Sequence, residues 1–167
     1  MIDLGSMAGG MIGGLISGVI PALVTRNYYK KQLEDKLERG RSVLNIELNE
    51  IRRYINQYTS SNFLAEVYSE IDQNRGRDGE VITEFRVVFK SKADSLKDIL
   101  KDSNYYFEKE IRRKIENLVE KLQDLQEFRF DQFSKHFAES LAYRTEMSLL
   151  SKSREIRNLI DEIIEKL

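Results

Sequence analysis

The chain of 167 residues carries 27 basic and 28 acidic side chains, which gives it a net charge of −1. This balance supplies no overall field that would attract a polyanion, so the composition disfavours a general nucleic-acid-binding protein. No cysteine is present, which excludes disulfides and cysteine-based zinc ribbons and suits a reducing cytoplasm.

The first segment, residues 4–25, contains no charged side chain, although 33% of the whole chain is charged. As a helix it would be about 33 Å long, close to the roughly 30 Å hydrocarbon core of a bilayer. Arg26, Lys30 and Lys31 follow it, which is typical of a span whose C-terminal side is cytoplasmic. The alternatives are a cleaved signal peptide, a buried soluble helix and a glycine-rich disordered leader. We expect a transmembrane helix within residues 1–26.

Small residues lie along one side of this predicted helix. At 100° per residue they fall within about a third of the circumference, whereas bulkier residues such as Leu15 fall opposite. The small face consists of Ser6, Gly10, Gly13, Gly14, Ser17 and Pro21. Overlapping GxxxG patterns of this kind let helix backbones approach closely in lipid. The pattern predicts self-association through the small face, as a homo-oligomeric pore or as a simple dimer.

The remainder, residues 27–167, is predicted to be a cytoplasmic helical domain. Its first helix continues almost directly from the span, with Gly40 as a point where it loosens. The apolar positions that predict it are Leu33, Leu37, Leu44, Leu48, Ile51, Ile55 and Tyr58. Residues 72–80 combine two glycines with dense charge and form the one clear loop of the domain.

Three further helices follow this loop. Residues 81–89 could pass for a strand, but the helical spacing continues to Leu100. Asp102 and Ser103 are predicted to cap the third helix. The apolar positions are Ile82, Phe85, Phe89, Ala93, Leu96 and Leu100; then Phe107, Ile111, Ile115, Leu118, Leu122 and Leu125; then Phe137, Leu141, Leu150, Ile156, Ile160, Ile163 and Leu167. The sequence therefore predicts an all-α fold, an antiparallel four-helix bundle behind a membrane helix. No dinucleotide- or phosphate-binding glycine pattern occurs, and neither a cofactor nor a metal is predicted.

One pair of residues is a candidate catalytic site. His136 is the only histidine, and Arg129 precedes it by two helical turns, so the two side chains would share a face if this stretch were helical. An arginine can hold a phosphate while a histidine acts as acid or base, which is what cleavage of RNA requires. The alternative is that His136 caps or packs at a helix junction.

The spacing of Arg129 and His136 late in a small helical bundle resembles the motif of the HEPN family, although Phe130 stands where a polar residue normally follows the arginine. HEPN domains are often dimeric ribonucleases with a composite site. Behind an N-terminal membrane helix, the bundle is similar to the small membrane accessory proteins of type VI-B CRISPR systems. That resemblance implies an oligomeric pore in the bacterial inner membrane that supports antiphage defence by an RNA-guided nuclease.

Three functions follow as expectations. The first is a homo-oligomeric membrane pore or permeabilising effector, with the lipid bilayer as its partner. The second is a membrane-tethered ribonuclease that acts on RNA through Arg129 and His136. The third is a non-enzymatic scaffold that anchors a partner such as a nuclease effector.

Overall fold

The computed structural model describes residues 20–73, 79–130, 133 and 139–167, and the regular structure in these ranges is entirely helical. In chain order the helices are α1 (Ile20–Gln57), α2 (Ser61–Gln73), α3 (Glu80–Lys101), α4 (Lys109–Gln126) and α5 (Glu139–Ile164). The predicted all-α fold is confirmed. Residues 81–89 lie within α3, so the choice of helix over strand for this stretch is also confirmed.

Four of the helices form an antiparallel bundle. In each pair of neighbouring helices, the contact that lies later along one helix lies earlier along the other. The contacts are Lys92–Glu50 and Tyr58–Glu84 between α1 and α3, Arg86–Phe128 and Arg112–Leu100 between α3 and α4, Lys114–Glu162 and Lys121–Glu155 between α4 and α5, and Arg52–Asp161 and Arg157–Asn56 between α1 and α5. Each of these helices is thus antiparallel to two neighbours, and α1 lies diagonally across from α4.

The bundle core is built from the predicted apolar stripes, with differences at their ends. Leu44, Leu48, Ile51 and Ile55 of α1 are fully buried, but Leu33 is 46% exposed because it lies beyond the bundle. The predicted positions of α4 from Ile111 to Leu125 are all buried. In α5 the predicted Ile156, Ile160 and Ile163 are fully buried, but nearer its start the buried residue is Leu149, whereas Leu141 and Leu150 are only half-buried. Phe137 lies outside the described residues.

Helix α2 was not predicted, and the expectation of a single loop before α3 is wrong. The chain turns at residues 58–60, and the Ser60 hydroxyl accepts a hydrogen bond from the Phe63 amide (3.2 Å), which caps α2. Phe63, Leu64, Val67 and Ile71 bury one face of α2. This short helix covers the end of the bundle beside the start of α3.

The predicted N-cap at Asp102 and Ser103 is also wrong. Asp102 ends α3, and its carboxylate accepts a hydrogen bond from the Asn104 amide (2.8 Å), while α4 begins only at Lys109. Phe107 lies in the connection and is buried against Gly40 of α1. A Cβ atom at Gly40 would lie 3.1 Å from the ring of Phe107, so Gly40 permits close packing within an unbroken helix.

The N-terminal predictions lie mostly outside the described residues. This applies to the small face of Ser6, Gly10, Gly13, Gly14 and Ser17, and to most of the predicted span. Among the helices that the structure describes, none is both long and apolar enough to cross a membrane. Helix α1 passes from Ile20 through the predicted domain boundary at residues 26 and 27 without a break.

Candidate functional site

The connection between α4 and α5 contains the predicted site residue Arg129. Helix α4 ends at Gln126, and the Phe128 amide donates to the Leu125 carbonyl (3.0 Å). Beyond this point Phe128 and Phe130 are buried while Arg129 between them is exposed. This alternation is typical of extended chain, and it directs the Arg129 side chain to solvent.

Phe130 is the anchor of this connection. Its ring is fully buried and lies 5.0 Å from the ring of Phe85, 5.1 Å from that of Phe128 and 5.7 Å from that of Phe133, measured between centroids. Phe63 of α2 adds an edge-on contact at 6.3 Å. Phe130 therefore has a structural role, because it fixes the chain beside Arg129 to the aromatic core.

The predicted pairing of Arg129 with His136 lies outside the described residues. His136 lies outside them, and Arg129 is in a non-helical segment that follows α4. Arg129 and His136 would share a helix face only if Arg129 were helical, and it is not. Their pairing stays a prediction.

Two tyrosines link elements around the same end of the bundle. The Tyr58 hydroxyl donates to Glu84 (3.1 Å), and burial together with this carboxylate raises the pKa of Tyr58 to about 12. The Tyr68 hydroxyl of α2 donates to Glu146 of α5 (3.4 Å), and burial followed by that carboxylate raises its pKa as well. Both phenols stay protonated at neutral pH, so they serve as hydrogen-bond donors between helices and are poor candidates for a general base.

A half-buried ion cluster lies between α1 and α3 and was not predicted. The Lys92 ammonium is 2.5 Å from Glu50, 3.1 Å from Glu47 and 5.6 Å from the centroid of the Tyr54 ring. Burial lowers the pKa of Lys92, but the hydrogen bond to Glu50 and the nearby Glu47 carboxylate outweigh it and the net shift is upward. A lysine held in this charged form cannot act as a nucleophile or base. The partners are distant in sequence, so no local pattern could have identified the cluster.

An open groove of about 540 Å³ runs along the last turns of α3 and is lined by Asp94, Asp98 and Asp102. Two of these carboxylates already have cationic neighbours, since Asp94 lies 3.2 Å from Lys97 and Asp98 lies 3.9 Å from Lys101. Across the described ranges, no three histidine, cysteine or acidic side chains are arranged to hold a metal ion. The groove is therefore a solvated acidic surface.

The remaining feature is the part of α1 that leaves the bundle, residues 24–35, which we call the stalk. Every stalk side chain is exposed, including Val24, Tyr28 and Tyr29 at 61–65%. The bundle first contacts α1 at Lys36, whose ammonium donates to the Ser103 carbonyl (3.0 Å). At 1.5 Å per residue the stalk extends about 18 Å beyond this contact. Arg129 lies at the opposite end of the bundle.

Comparison of the chain with protein-family models, with curated proteins and with solved structures found no match. The function is therefore inferred from the sequence pattern and from the geometry described above.

Proposed function

We propose that this protein is a membrane-anchored helical bundle that assembles through its N-terminal segment and permeabilises the bilayer. The observation that carries the proposal is the stalk. Helix α1 continues out of the bundle with its apolar side chains exposed, and it leads directly towards the uncharged residues 4–25. Val24, Tyr28, Tyr29 and Leu33 are all exposed on this one short segment, and grouped exposed apolar side chains mark an interaction surface.

The charge pattern supports a membrane as the partner of this surface. Uncharged residues precede the stalk, and its first charges are Arg26, Lys30 and Lys31. Cations just beyond an apolar segment retain that side in the cytoplasm, and tyrosines are enriched at the membrane interface. A single-pass topology in the bacterial inner membrane, with the bundle in the cytoplasm, accounts for Tyr28, Tyr29 and these cations together.

The small face of the N-terminal segment is the proposed assembly surface. Gly10, Gly14 and Ser17 carry little or no side chain, which favours close helix contacts in lipid. Several such helices around one axis would surround a narrow opening. A role in antiphage defence, with an RNA-guided nuclease as partner, follows from the resemblance described above and is part of the same proposal.

The exposure of Arg129 favours a second candidate, a tethered HEPN ribonuclease. Arg129 lies at the end of the bundle away from the stalk, about 30 Å along α1 at 1.5 Å per residue. In an anchored protein this end would face the aqueous phase, where RNA is accessible. Loss of RNA cleavage by the purified protein on His136→Ala substitution would establish this candidate. Absence of cleavage in the wild type would remove it.

The proposed anchoring can be tested with two matched arginine substitutions in the full chain. Leu15→Arg places a charge within the predicted span, at a cost of about 3 kcal/mol for insertion. Ile46→Arg makes the same kind of change at a bundle position that is 63% exposed. We expect the wild type and Ile46→Arg to stay in the carbonate-washed membrane pellet, while Leu15→Arg is released. Release of all three proteins would refute membrane insertion.

A further inference from the structure

The stalk differs in charge from the rest of the molecule. Between Asp3 and Glu34 the only charged residues are Arg26, Lys30 and Lys31. Acidic and basic residues are balanced over the whole chain, so this stretch of positive charge without an acidic residue is local. It coincides with the part of α1 whose side chains are exposed.

The exposed apolar side chains are interleaved with these cations. Tyr29 and Leu33 continue the α1 stripe that is buried inside the bundle, and they remain 65% and 46% exposed. Lys30 has a neighbouring carboxylate at 3.7 Å on Glu34, but both side chains are largely exposed. Such an i, i+4 pair contributes little, so Lys30 can exchange this contact for another anion.

We propose that the stalk binds the headgroups of anionic phospholipids, an inference that rests on the proposed membrane anchoring. The headgroup layer of each leaflet is about 5–8 Å thick, and the residues from Arg26 to Lys31 span a comparable depth along a helix. Tyrosine rings favour this layer, and the long cationic side chains can reach lipid phosphates. The first stalk carboxylates, Glu34 and Asp35, lie beyond it, next to the bundle.

Charge complementarity selects lipid over a second copy of the chain. In a rotationally symmetric oligomer every stalk lies at the same height, so Arg26, Lys30 and Lys31 of one copy face the same cations of the next. Direct stalk-to-stalk packing would place like charges together, and the one carboxylate near this level, that of Glu34, already lies beside Lys30 of its own chain. Anionic headgroups between the stalks remove this repulsion, at about a fivefold gain in affinity for each cation.

The test compares lipid retention by the full chain and two triple variants. Each protein is reconstituted in vesicles containing equal amounts of phosphatidylglycerol and phosphatidylcholine, extracted in mild detergent and weighed by native mass spectrometry. The stalk variant is Arg26→Gln/Lys30→Gln/Lys31→Gln. The control, Lys90→Gln/Arg144→Gln/Arg154→Gln, removes three exposed cations from the bundle. Both leaflets have the same composition, so the orientation of the protein does not affect the ratio.

We expect phosphatidylglycerol to be enriched on the wild type and the control, and the enrichment to fall at least tenfold in the stalk variant. Equal retention of the two lipids by a carbonate-resistant wild type would overturn this inference and leave the proposed anchoring intact. A wild type that carbonate extracts would overturn both. Loss of oligomer mass in the stalk variant with no change in lipid ratio would assign the stalk to a second copy, and would also overturn the inference.

Discussion

Truncation of Phe130 to alanine tests whether this residue anchors the chain beside Arg129. The ring is fully buried and packs against Phe85, Phe128 and Phe133 at centroid distances of 5.0–5.7 Å. Replacing a buried phenylalanine with alanine costs about 3–5 kcal/mol, because apolar contact is lost and a cavity remains. At about 3 °C per kcal/mol for a chain of this size, we expect the midpoint of thermal unfolding to fall by roughly 9–15 °C.

The matched control is Arg129→Ala, one residue away. Its side chain is exposed, and contacts of an exposed arginine contribute about 1 kcal/mol or less, so we expect a much smaller loss of stability than for Phe130→Ala. Thermal unfolding of the full-length protein in detergent, followed by circular dichroism at 222 nm, measures both variants. If Phe130→Ala melts within about 2 °C of the wild type, the ring is not part of the core, and Phe130 does not anchor the connection.

Three further predictions concern the bundle. Gly40→Ala should change stability little, because a gain of about 1 kcal/mol in helix propensity offsets a 3.1 Å contact with the movable Phe107 ring. Gly40→Leu should destabilise the protein by about 1–3 kcal/mol, because the larger side chain does not fit against this ring. Equal melting temperatures for the two variants would argue against close packing at Gly40. Lys92→Met leaves the carboxylates of Glu47 and Glu50 without their ammonium partner, so it should lower the melting temperature more than Glu50→Gln does. The opposite order would show that Lys92 does not hold the cluster together. The contribution of the Tyr58 hydroxyl to stability is present below pH 10 and is lost as the pH rises through about 12. In a titration of tyrosine ionisation followed by absorbance at 295 nm, Tyr58→Phe should remove one late-ionising tyrosine. A titration curve identical to that of the wild type would contradict this.

The helical fold could be predicted from sequence because apolar residues recur at helical spacing over long stretches. The stripe from Leu44 to Ile55 and the stripe from Ile111 to Leu125 are buried as expected. The ends of helices were less predictable. Asp102 is as suitable for a turn after α3 as for a cap before α4, and only the packing of Phe107 against Gly40 requires the longer connection.

The candidate site was less accessible to sequence analysis. The cations Arg26, Lys30 and Lys31 after the uncharged segment could be read from the sequence, but the stalk itself could not, because Leu33 was expected within the bundle and is 46% exposed. The Lys92 cluster could not, since its partners come from helices that are distant in the chain. Phe130 appeared only as a departure from a motif, and its contacts with Phe85 of α3 and Phe63 of α2 explain why a polar residue would be costly there.

Two neighbouring substitutions in the N-terminal segment test the central claim of membrane assembly most directly. Gly14→Leu adds bulk to the predicted small face, and Leu15→Phe adds bulk to the opposite face, while both keep the segment apolar so that insertion is preserved. Native mass and dye uptake by cells that express each full-length variant are the measurements. If the helices assemble through the small face, Gly14→Leu abolishes the oligomer and the dye uptake, whereas Leu15→Phe retains both. Equal behaviour of the two variants, or a monomeric wild type that admits no dye, would contradict this claim.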